Sequence, residues 1–340
     1  MMAISSNMRA VQLTAYDGKS ESIRVATVPV PRPGPGEVLV RVHASPVNPS
    51  DLMFIRGLYG FKKSLPAIPG FEGSGTVVDA GPGLMPRILN GRRVACAAAD
   101  AKIAGGMWAE CVVTSANMCI PLRGDVDLEQ AAMMLVNPMT AWALMEIARE
   151  GRHAAVVQTA AASALGRMIV RLGRRFSLPI INIVRRAEQV EVLKAAGAEH
   201  VLSSSDPDFD PRLQEICHKL RATIGFDAVS GEMTARVLRA QPPRSRLLLY
   251  GALSLEAAQT DPASLIFEGK RLEGFWLSAW LRRKNLLSQM RVAGQVQKLL
   301  SSDLKSEVRA RLPLEQAGRA IAEYAASMTA GKVLIMPSGT

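Results

Sequence analysis

Nowhere do the 340 residues contain an uninterrupted apolar run near the roughly 20 that a bilayer span requires, although 48% of the chain is hydrophobic. A soluble globular protein with no membrane partner is expected. The start, Met1 to Arg9, has neither a basic stretch followed by an apolar one nor an Arg/Ser-rich amphipathic presequence. Export and import are therefore not signalled, and a cytoplasmic location is expected. Cys96, Cys111, Cys119 and Cys217 show no C-x-x-C spacing, and four cysteines in so long a chain make no disulfide framework. They read as small buried hydrophobes. His43, His153, His200 and His218 are scattered, without an i, i+4 pair or a Ser/Asp constellation for nucleophilic catalysis. Repeats and low-complexity tracts are absent. Aromatic residues amount to only 5%, and the densest basic stretches, Arg167 to Arg175 and Arg282 to Lys284, have none interleaved. A stacking platform for single-stranded nucleic acid is thus not built, and nucleic acid is not the favoured partner. The net charge of +11 attracts anions in general, acidic carrier proteins included, without specifying one.

What is present divides the chain in two, as its length suggests at roughly 150 residues per domain. From Met8 to about Pro121, short β-branched runs such as Val38 to Val42 and Gly75 to Val78 alternate with Gly/Pro punctuation, notably Pro31 to Glu37. That texture predicts a β-rich domain. After Glu129, helix-length apolar stretches alternate with short strands at Ala155–Val157, Ile180–Val184, Val201–Leu202, Phe226–Val229, Leu247–Tyr250 and Leu272–Leu277. This alternation predicts an α/β unit with a parallel, doubly wound sheet. A last strand, Lys332 to Met336, is placed to return to the first domain.

Between the first two of these later strands, Leu165, Met168, Ile169, Leu172 and Phe176 fall on one helical face. The connecting run Thr159 to Gly166 then lies where a dinucleotide-binding turn presents backbone N–H groups to a pyrophosphate. Of the G-x-G-x-x-G fingerprint only Gly166 remains, its first two places being Ala161 and Ser163. An ordinary packing turn is the competing reading. The following strand ends in Arg185-Arg186 with no acid, which suits the 2′-phosphate of NADPH better than the free ribose hydroxyl of NADH.

Several segments in order resemble the medium-chain dehydrogenase/reductase superfamily, and within it the zinc-independent 2-enoyl thioester reductases and quinone oxidoreductases. Shared by both groups are Pro46 to Leu52, Gly57-Leu58-Tyr59-Gly60 and Pro66 to Gly75. Three more segments favour the thioester reductases of mitochondrial type: Val136 to Ala141, Thr159 to Gly166 with Ile181 to Arg185, and Leu265 to Phe267 followed by Leu272 to Trp280. The resemblance implies a GroES-like β-rich catalytic domain over 1–127, a Rossmann cofactor domain over 128–278, and a return to the catalytic domain over 279–340. It departs from the zinc alcohol dehydrogenases. Their catalytic Cys and His positions read Pro46-Val47 and Phe71-Glu72 here, and only Cys96 falls near 85–100, where they carry a four-cysteine lobe. No metal is expected.

By the same resemblance Tyr59 is the proton donor to Cα after hydride reaches Cβ. A tyrosine of ordinary pKa near 10 is protonated at neutral pH and can donate. Asn48 would hydrogen-bond the nicotinamide ribose or the substrate, although an Asn before Pro is also a turn former. The cofactor would meet Thr140, the run Ala161, Ala162, Ser163, Ala164, Leu165 and Gly166, the pair Arg185 and Arg186, Tyr250, Gly251, and Trp276 as a pocket wall. Thr140 beside Pro138 could instead cap a helix. Glu72 reads as a buried structural carboxylate, and Met133, Met134, Met139 and Met145 as core packing. The expected cofactor is NADPH and the expected acceptor an acyl thioester on CoA or carrier protein. A quinone is the alternative, and a non-catalytic NADPH- or RNA-binding relative the third reading. The apolar strand near Phe275 suggests a homodimer with a sheet continued across a two-fold.

Overall fold

The computed structural model describes residues 5–98 and 105–337, so the first four positions of the Met1 to Arg9 start lie outside the described residues. The chain forms two compact units, one of residues 1–137 with 293–340 and the other of 138–292.

The first unit contains strands β1 (Asn7–Leu13), β2 (Ile23–Pro29), β3 (Glu37–Pro46), β4 (Glu72–Ala80), β5 (Arg93–Ala97), β6 (Cys111–Ser115) and β7 (Cys119–Pro121), with short helices α1 (Pro49–Ile55), α2 (Leu84–Leu89) and α3 (Leu128–Ala132). In the second lie α4 (Asn137–Glu150), β8 (Val156–Gln158), α5 (Ala164–Arg175), β9 (Ile180–Val184), α6 (Ala187–Ala195), β10 (His200–Ser203), α7 (Phe209–Lys219), β11 (Ile224–Asp227), α8 (Glu232–Ala240), β12 (Arg246–Leu249), α9 (Pro262–Ile266), β13 (Arg271–Gly274), α10 (Leu277–Arg282) and α11 (Leu286–Leu299). The chain closes with β14 (Val308–Pro313), α12 (Ala317–Ala326) and β15 (Lys332–Met336) in the first unit.

In the first unit a seven-stranded sheet runs β14-β15-β3-β4-β5-β7, with β6 also on β3 and the hairpin β1-β2 beside it. The C-terminal strand does return: β15 pairs antiparallel with β3 through Leu334–Pro46 and Ile335–Ser45. Alternating residues of β3 and β4, among them Val38, Val40, Val42 and Val77, make one core, and Phe54, Phe71, Trp108 and Ile335 another. This is the GroES-like unit that the sequence led one to expect.

The second unit is a six-stranded, all-parallel sheet of order β10-β9-β8-β11-β12-β13. Counted within the unit this is 3-2-1-4-5-6, the doubly wound Rossmann order, whose reversal falls between β8 and β11. Its central strands β8, β9 and β11 are buried on both faces, as crossover helices require, and Val157, Ile181, Phe226 and Leu247 are all fully buried.

Two expectations change. The domain limits expected at 127 and 278 fall at 137 and 292 instead. Residues 128–137 stay with the first unit because Gln130 exchanges hydrogen bonds with Ser306 at 3.0 and 2.9 Å, and α10 stays with the second because Lys284 pairs with Glu146 at 2.5 Å. The strand expected over Leu272–Leu277 ends at Gly274, and a helix starts at Leu277. Apolar content alone cannot distinguish a short strand from a short helix. The four methionines from Met133 to Met145 are core, as expected.

Candidate active site

Tyr59 stands on the loop after α1, between Gly57, whose φ is +70°, and Gly60. Its half-buried ring lies on Phe71 at 4.6 Å between centroids and edge-on to Phe61 at 5.1 Å. Phe71 in turn meets Phe54 at 5.3 Å, and Phe54 meets Tyr16 at 5.3 Å. Five rings thus fix the loop from below, a geometry aromatic pairs favour. The position where the zinc enzymes carry a histidine is therefore a wall for the Tyr59 ring. Lys63, four residues on, donates from Nζ to the carbonyls of Ala98 and Gly105 at 3.0 and 2.5 Å, which ties the far end of the loop to the sheet.

Behind the rings lies a buried ionic network. Asn48 is fully buried, and both ends of its amide are occupied: Nδ2 donates to Glu72 Oε1 at 2.9 Å, and Oδ1 accepts from Lys332 Nζ. Glu72 Oε2 accepts from the backbone N–H groups of Leu135 and Val136 at 2.8 and 2.9 Å. Asp51 accepts from the N–H of Asn48 at 2.8 Å and of Phe71 at 3.1 Å. Burial raises the Asp51 carboxyl to about 7 and the Glu72 carboxyl to about 6, and lowers the Lys332 ammonium to about 8. Burial also lifts the Tyr324 phenol well above its ordinary value, and the Lys332 ammonium sits 5.4 Å from that ring.

Asn48 is thus fully buried with one hydrogen bond at each end of its amide. It links Glu72 to Lys332, while its backbone links to the Asp51 that holds Phe71 under Tyr59. Asp51 and Lys332 escaped the sequence reading, though a lysine opening an otherwise apolar strand, Lys332-Val333-Leu334-Ile335-Met336, is a signal that could have found one of them.

In the second unit the turn after β8 takes the shape of an anion cradle. Ala160 has φ +49°, and the Ser163 hydroxyl caps α5 by accepting from the Gly166 N–H at 3.0 Å. A Cβ on Gly166 would lie 2.4 Å from the Ala161 carbonyl oxygen, so only glycine lets the helix approach the turn this closely. The amides of Ala161 and Ser163, at the first two fingerprint places, do not point outward. They donate to Ile183 O at 3.1 Å and Ala160 O at 2.9 Å. Among the described residues, the amides that remain are that of Ala162 and the first-turn amides of Ala164 and Leu165, which have no intrahelical acceptor. Ala162 lends its carbonyl to Arg167 Nη1 at 3.0 Å.

Neighbouring strand ends complete the arrangement. Arg185 and Arg186 are exposed at the end of β9, and Gln189 Oε1 braces both backbone amides at 3.2 Å. Glu188 lies 3.8 Å from Arg186, an acid beyond the strand end that the sequence reading did not weigh. Between β8 and β11, Asp227 accepts from Thr159 Oγ1 at 2.8 Å, Thr234 Oγ1 at 2.6 Å and the Val229 and Ser230 amides. Gln158 is fully buried and donates to Gly166 O at 3.1 Å and to Asn182 Oδ1 at 2.7 Å, tying β8 to both α5 and β9. The Tyr250 hydroxyl at the end of β12 is buried without a hydrogen-bond partner, and burial, then Asp227, raises its pKa strongly. Gly251 follows, where a Cβ would meet Ala228 O at 2.9 Å.

The second unit thus brings Ala161 to Gly166, Arg185, Arg186, Tyr250 and Gly251 to the carboxyl ends of adjacent parallel strands, where such sheets bind ligands. Trp276 follows the carboxyl end of β13, the next parallel strand after β12; it is half exposed, precedes α10, and carries the Arg282 guanidinium 4.9 Å from its ring. Thr140 is buried within the first turn of α4, which already begins at Asn137, so it is not the cap. Among the described residues no three His, Cys, Asp or Glu side chains gather as metal ligands. Positions 99 and 100, at the end of the lobe stretch of the zinc enzymes, lie outside the described residues.

Comparison with known proteins agrees with both units. Residues 34–124 match the alcohol dehydrogenase GroES-like domain, and residues 164–291 match the zinc-binding dehydrogenase domain. The mitochondrial enoyl-[acyl-carrier-protein] reductase of Arabidopsis thaliana is 30% identical over 82% of this chain and 74% of its own. That of Caenorhabditis elegans is 29% identical over 82% and 80%. Among solved structures, a candidate NADPH:quinone reductase from Mesorhizobium loti is 37% identical with a TM-score of 0.90, covering 99% of this chain and all of its own. The mycobacterial protein Rv1454c, solved in complex with NADPH, is 27% identical with a TM-score of 0.81 over 97% of this chain and all of its own.

Proposed function

The chain belongs to the medium-chain dehydrogenase/reductase superfamily, and from that premise we propose that this oxidoreductase uses NADPH to reduce the C=C bond of 2-enoyl thioesters, with Tyr59 as proton donor. The observation that carries the reading is the Tyr59 loop, a hydroxyl-bearing ring held half-buried on Phe71 and Phe61 with, among the described residues, no metal-ligand set beside it. The sequence relationship to the enoyl-[acyl-carrier-protein] reductases supports the substrate class.

The residues of the second unit fit NADPH. The free amides of Ala164 and Leu165 at the mouth of α5 suit a pyrophosphate, and the exposed guanidinium groups of Arg185 and Arg186 suit a 2′-phosphate. The orphaned Tyr250 hydroxyl supplies one further unused donor. Bound NADPH supplies the hydride, which the enoyl Cβ receives. The electron pair then rests on Cα and the thioester oxygen, and Tyr59 delivers the proton to Cα and recovers it from water. Without a metal, hydrogen bonds would have to polarise the thioester. The net positive charge suits an acidic acyl carrier. Around the open edge of β13, the exposed Ile266, Phe267 and Trp276 support a homodimer.

A second reading, reduction of a quinone, is favoured by the Mesorhizobium loti structure. Crotonyl-CoA and 1,4-benzoquinone assayed side by side with NADPH and NADH separate the two. The thioester reading expects butyryl-CoA, with NADPH preferred, and deuterium from D2O at Cα. Turnover of the quinone alone overturns it. Tyr59→Phe should lower the enoyl rate by about 10²–10⁴-fold where proton transfer limits, the usual contribution of a general acid. A full rate in that variant removes Tyr59 as donor.

A further inference from the structure

Cys96 on β5 and Cys119 on β7 stand directly opposite each other in an antiparallel pair. The ladder fixes which kind of pair this is. The Leu122 N–H donates to Arg93 O at 2.9 Å, so Arg93/Leu122 is a hydrogen-bonded pair. Alternation along the register makes Val94/Pro121 non-bonded, Ala95/Ile120 bonded and Cys96/Cys119 non-bonded. Pro121, which has no N–H, fits the place so assigned. In non-bonded pairs the Cα atoms lie about 4.5 Å apart with the side chains close together. A disulfide spans Cα separations of about 4.4–6.8 Å, so no backbone shift is needed to join them.

The side chains agree with the register. Both cysteines line one core cluster with Met107 and Val94. Cys96 Sγ lies 3.8 Å from Met107 Sδ, and Cys119 Sγ lies 3.7 Å from Ser115 O. A hydrogen bond with Cys119, reinforced by burial, holds the Cys96 thiol well above its ordinary value, so Cys96 stays protonated while the pair is closed. Cys111 lies opposite Arg41 on β3 and Cys217 sits on α7, so neither has a cysteine across from it.

We propose that Cys96 and Cys119 are a modification site that closes to a reversible intramolecular disulfide, with a small-molecule disulfide as oxidant. The entry point is Cys119. It is 6% exposed where Cys96 is fully buried, and β7 is a three-residue edge strand paired only with β5 among the described residues. Such an edge opens locally at low cost. The opened Cys119 thiol loses its proton to water, and its thiolate attacks one sulfur of RSSR, forming a mixed disulfide and expelling RS⁻. As β7 re-pairs, the Cys96 thiolate attacks the Cys119 sulfur, forming the Cys96–Cys119 bond and expelling the second RS⁻. The two protons released by the cysteines are taken up by the two RS⁻. The protein dithiol is oxidised and RSSR is reduced to two RSH. The loop so closed carries Ala98 and Gly105, the carbonyls that hold Lys63 at the end of the Tyr59 loop. The oxidised pair therefore closes the stretch of chain that carries both carbonyls bracing that loop.

The test uses the full chain, incubated with oxidised glutathione at temperatures up to just below its unfolding transition, then denatured, alkylated and digested. Four reactive thiols should fall to two, dithiothreitol should restore four, and one cross-linked peptide should join Cys96 to Cys119 with two hydrogens fewer than its reduced halves. Cys119→Ser should abolish the cross-link and Cys217→Ser should retain it. The wild-type peptide map decides the matter even where a variant does not fold. Four thiols throughout, a glutathione adduct persisting on Cys119, or a bridge to Cys111 or Cys217 each overturns the proposal.

Discussion

A methyl group at position 166 would stand 2.4 Å from the Ala161 carbonyl oxygen and 2.7 Å from that of Ala160. Neither oxygen belongs to a flexible side chain, so Gly166→Ala must push α5 away from the turn after β8. The expected cost is about 1–3 kcal/mol, the range for overpacking, read as a lower urea midpoint. Because the Ala164 and Leu165 amides move with the helix, the KM for NADPH should rise in the same variant. An unchanged midpoint and KM would show that the turn relaxes freely. The sequence singled out Gly166 for this reason, but it could not show that the Ala161 and Ser163 amides turn inward, because their acceptors, Ile183 O and Ala160 O, exist only in the folded turn. The same holds for Asn48. Its type and its place before Pro49 fit a site residue or a turn, and its partners Glu72 and Lys332 are far from it along the chain.

At the scale of elements, α1, β4 and β15 each contribute one charged group to a single buried cluster: Asp51, Glu72 and Lys332. Tyr324 of α12 faces the same cluster. The Asp51 carboxyl is raised from 3.8 to about 7, so between those values the folded state keeps a proton that the unfolded chain releases. Its contribution to stability is present below pH 3.8 and lost as pH rises through about 7. Glu72 acts in the same sense between 4.5 and about 6. Lys332, lowered from 10.5 to about 8, has the opposite sign: its contribution is present above 10.5 and lost as pH falls through about 8. Asp51→Asn should therefore flatten the fall in urea midpoint between about pH 5 and 7 relative to the wild type, while the rise set by Lys332 above about pH 8 persists. Parallel profiles across the lower window would mean that Asp51 does not titrate there. Element boundaries followed the same logic as residues. Ile180–Val184 and Lys332–Met336 were legible as strands because apolar and β-branched residues fill them. The stretch Leu272–Leu277 divided into β13 and α10 because β13 ends with its pairing to β12.

For the whole molecule, the edge of β13 is the feature that calls for a cover. That strand pairs with β12 on one side and, among the described residues, with no strand on the other. Phe267, at the end of α9 before β13, is 84% exposed, and Leu287, on α11 beyond α10, is 78% exposed. A second copy paired edge to edge would bury both, and sedimentation at micromolar concentration should find a dimer that Phe267→Glu with Leu287→Glu converts to monomer. A wild-type monomer, or a dimer indifferent to both charges, would place the contact elsewhere. The sequence by itself determined the two-unit plan, the β-rich and doubly wound classes, the return of the last strand and the superfamily, because periodicity and local motifs are properties of neighbouring residues. Only the tertiary structure decided which polar groups face inward. It placed Asn48 in an ionic network, set the Tyr59 ring on Phe71, and brought Cys96 opposite Cys119. Those outcomes depend on strand register and burial, through which residues distant along the chain become each other's solvent.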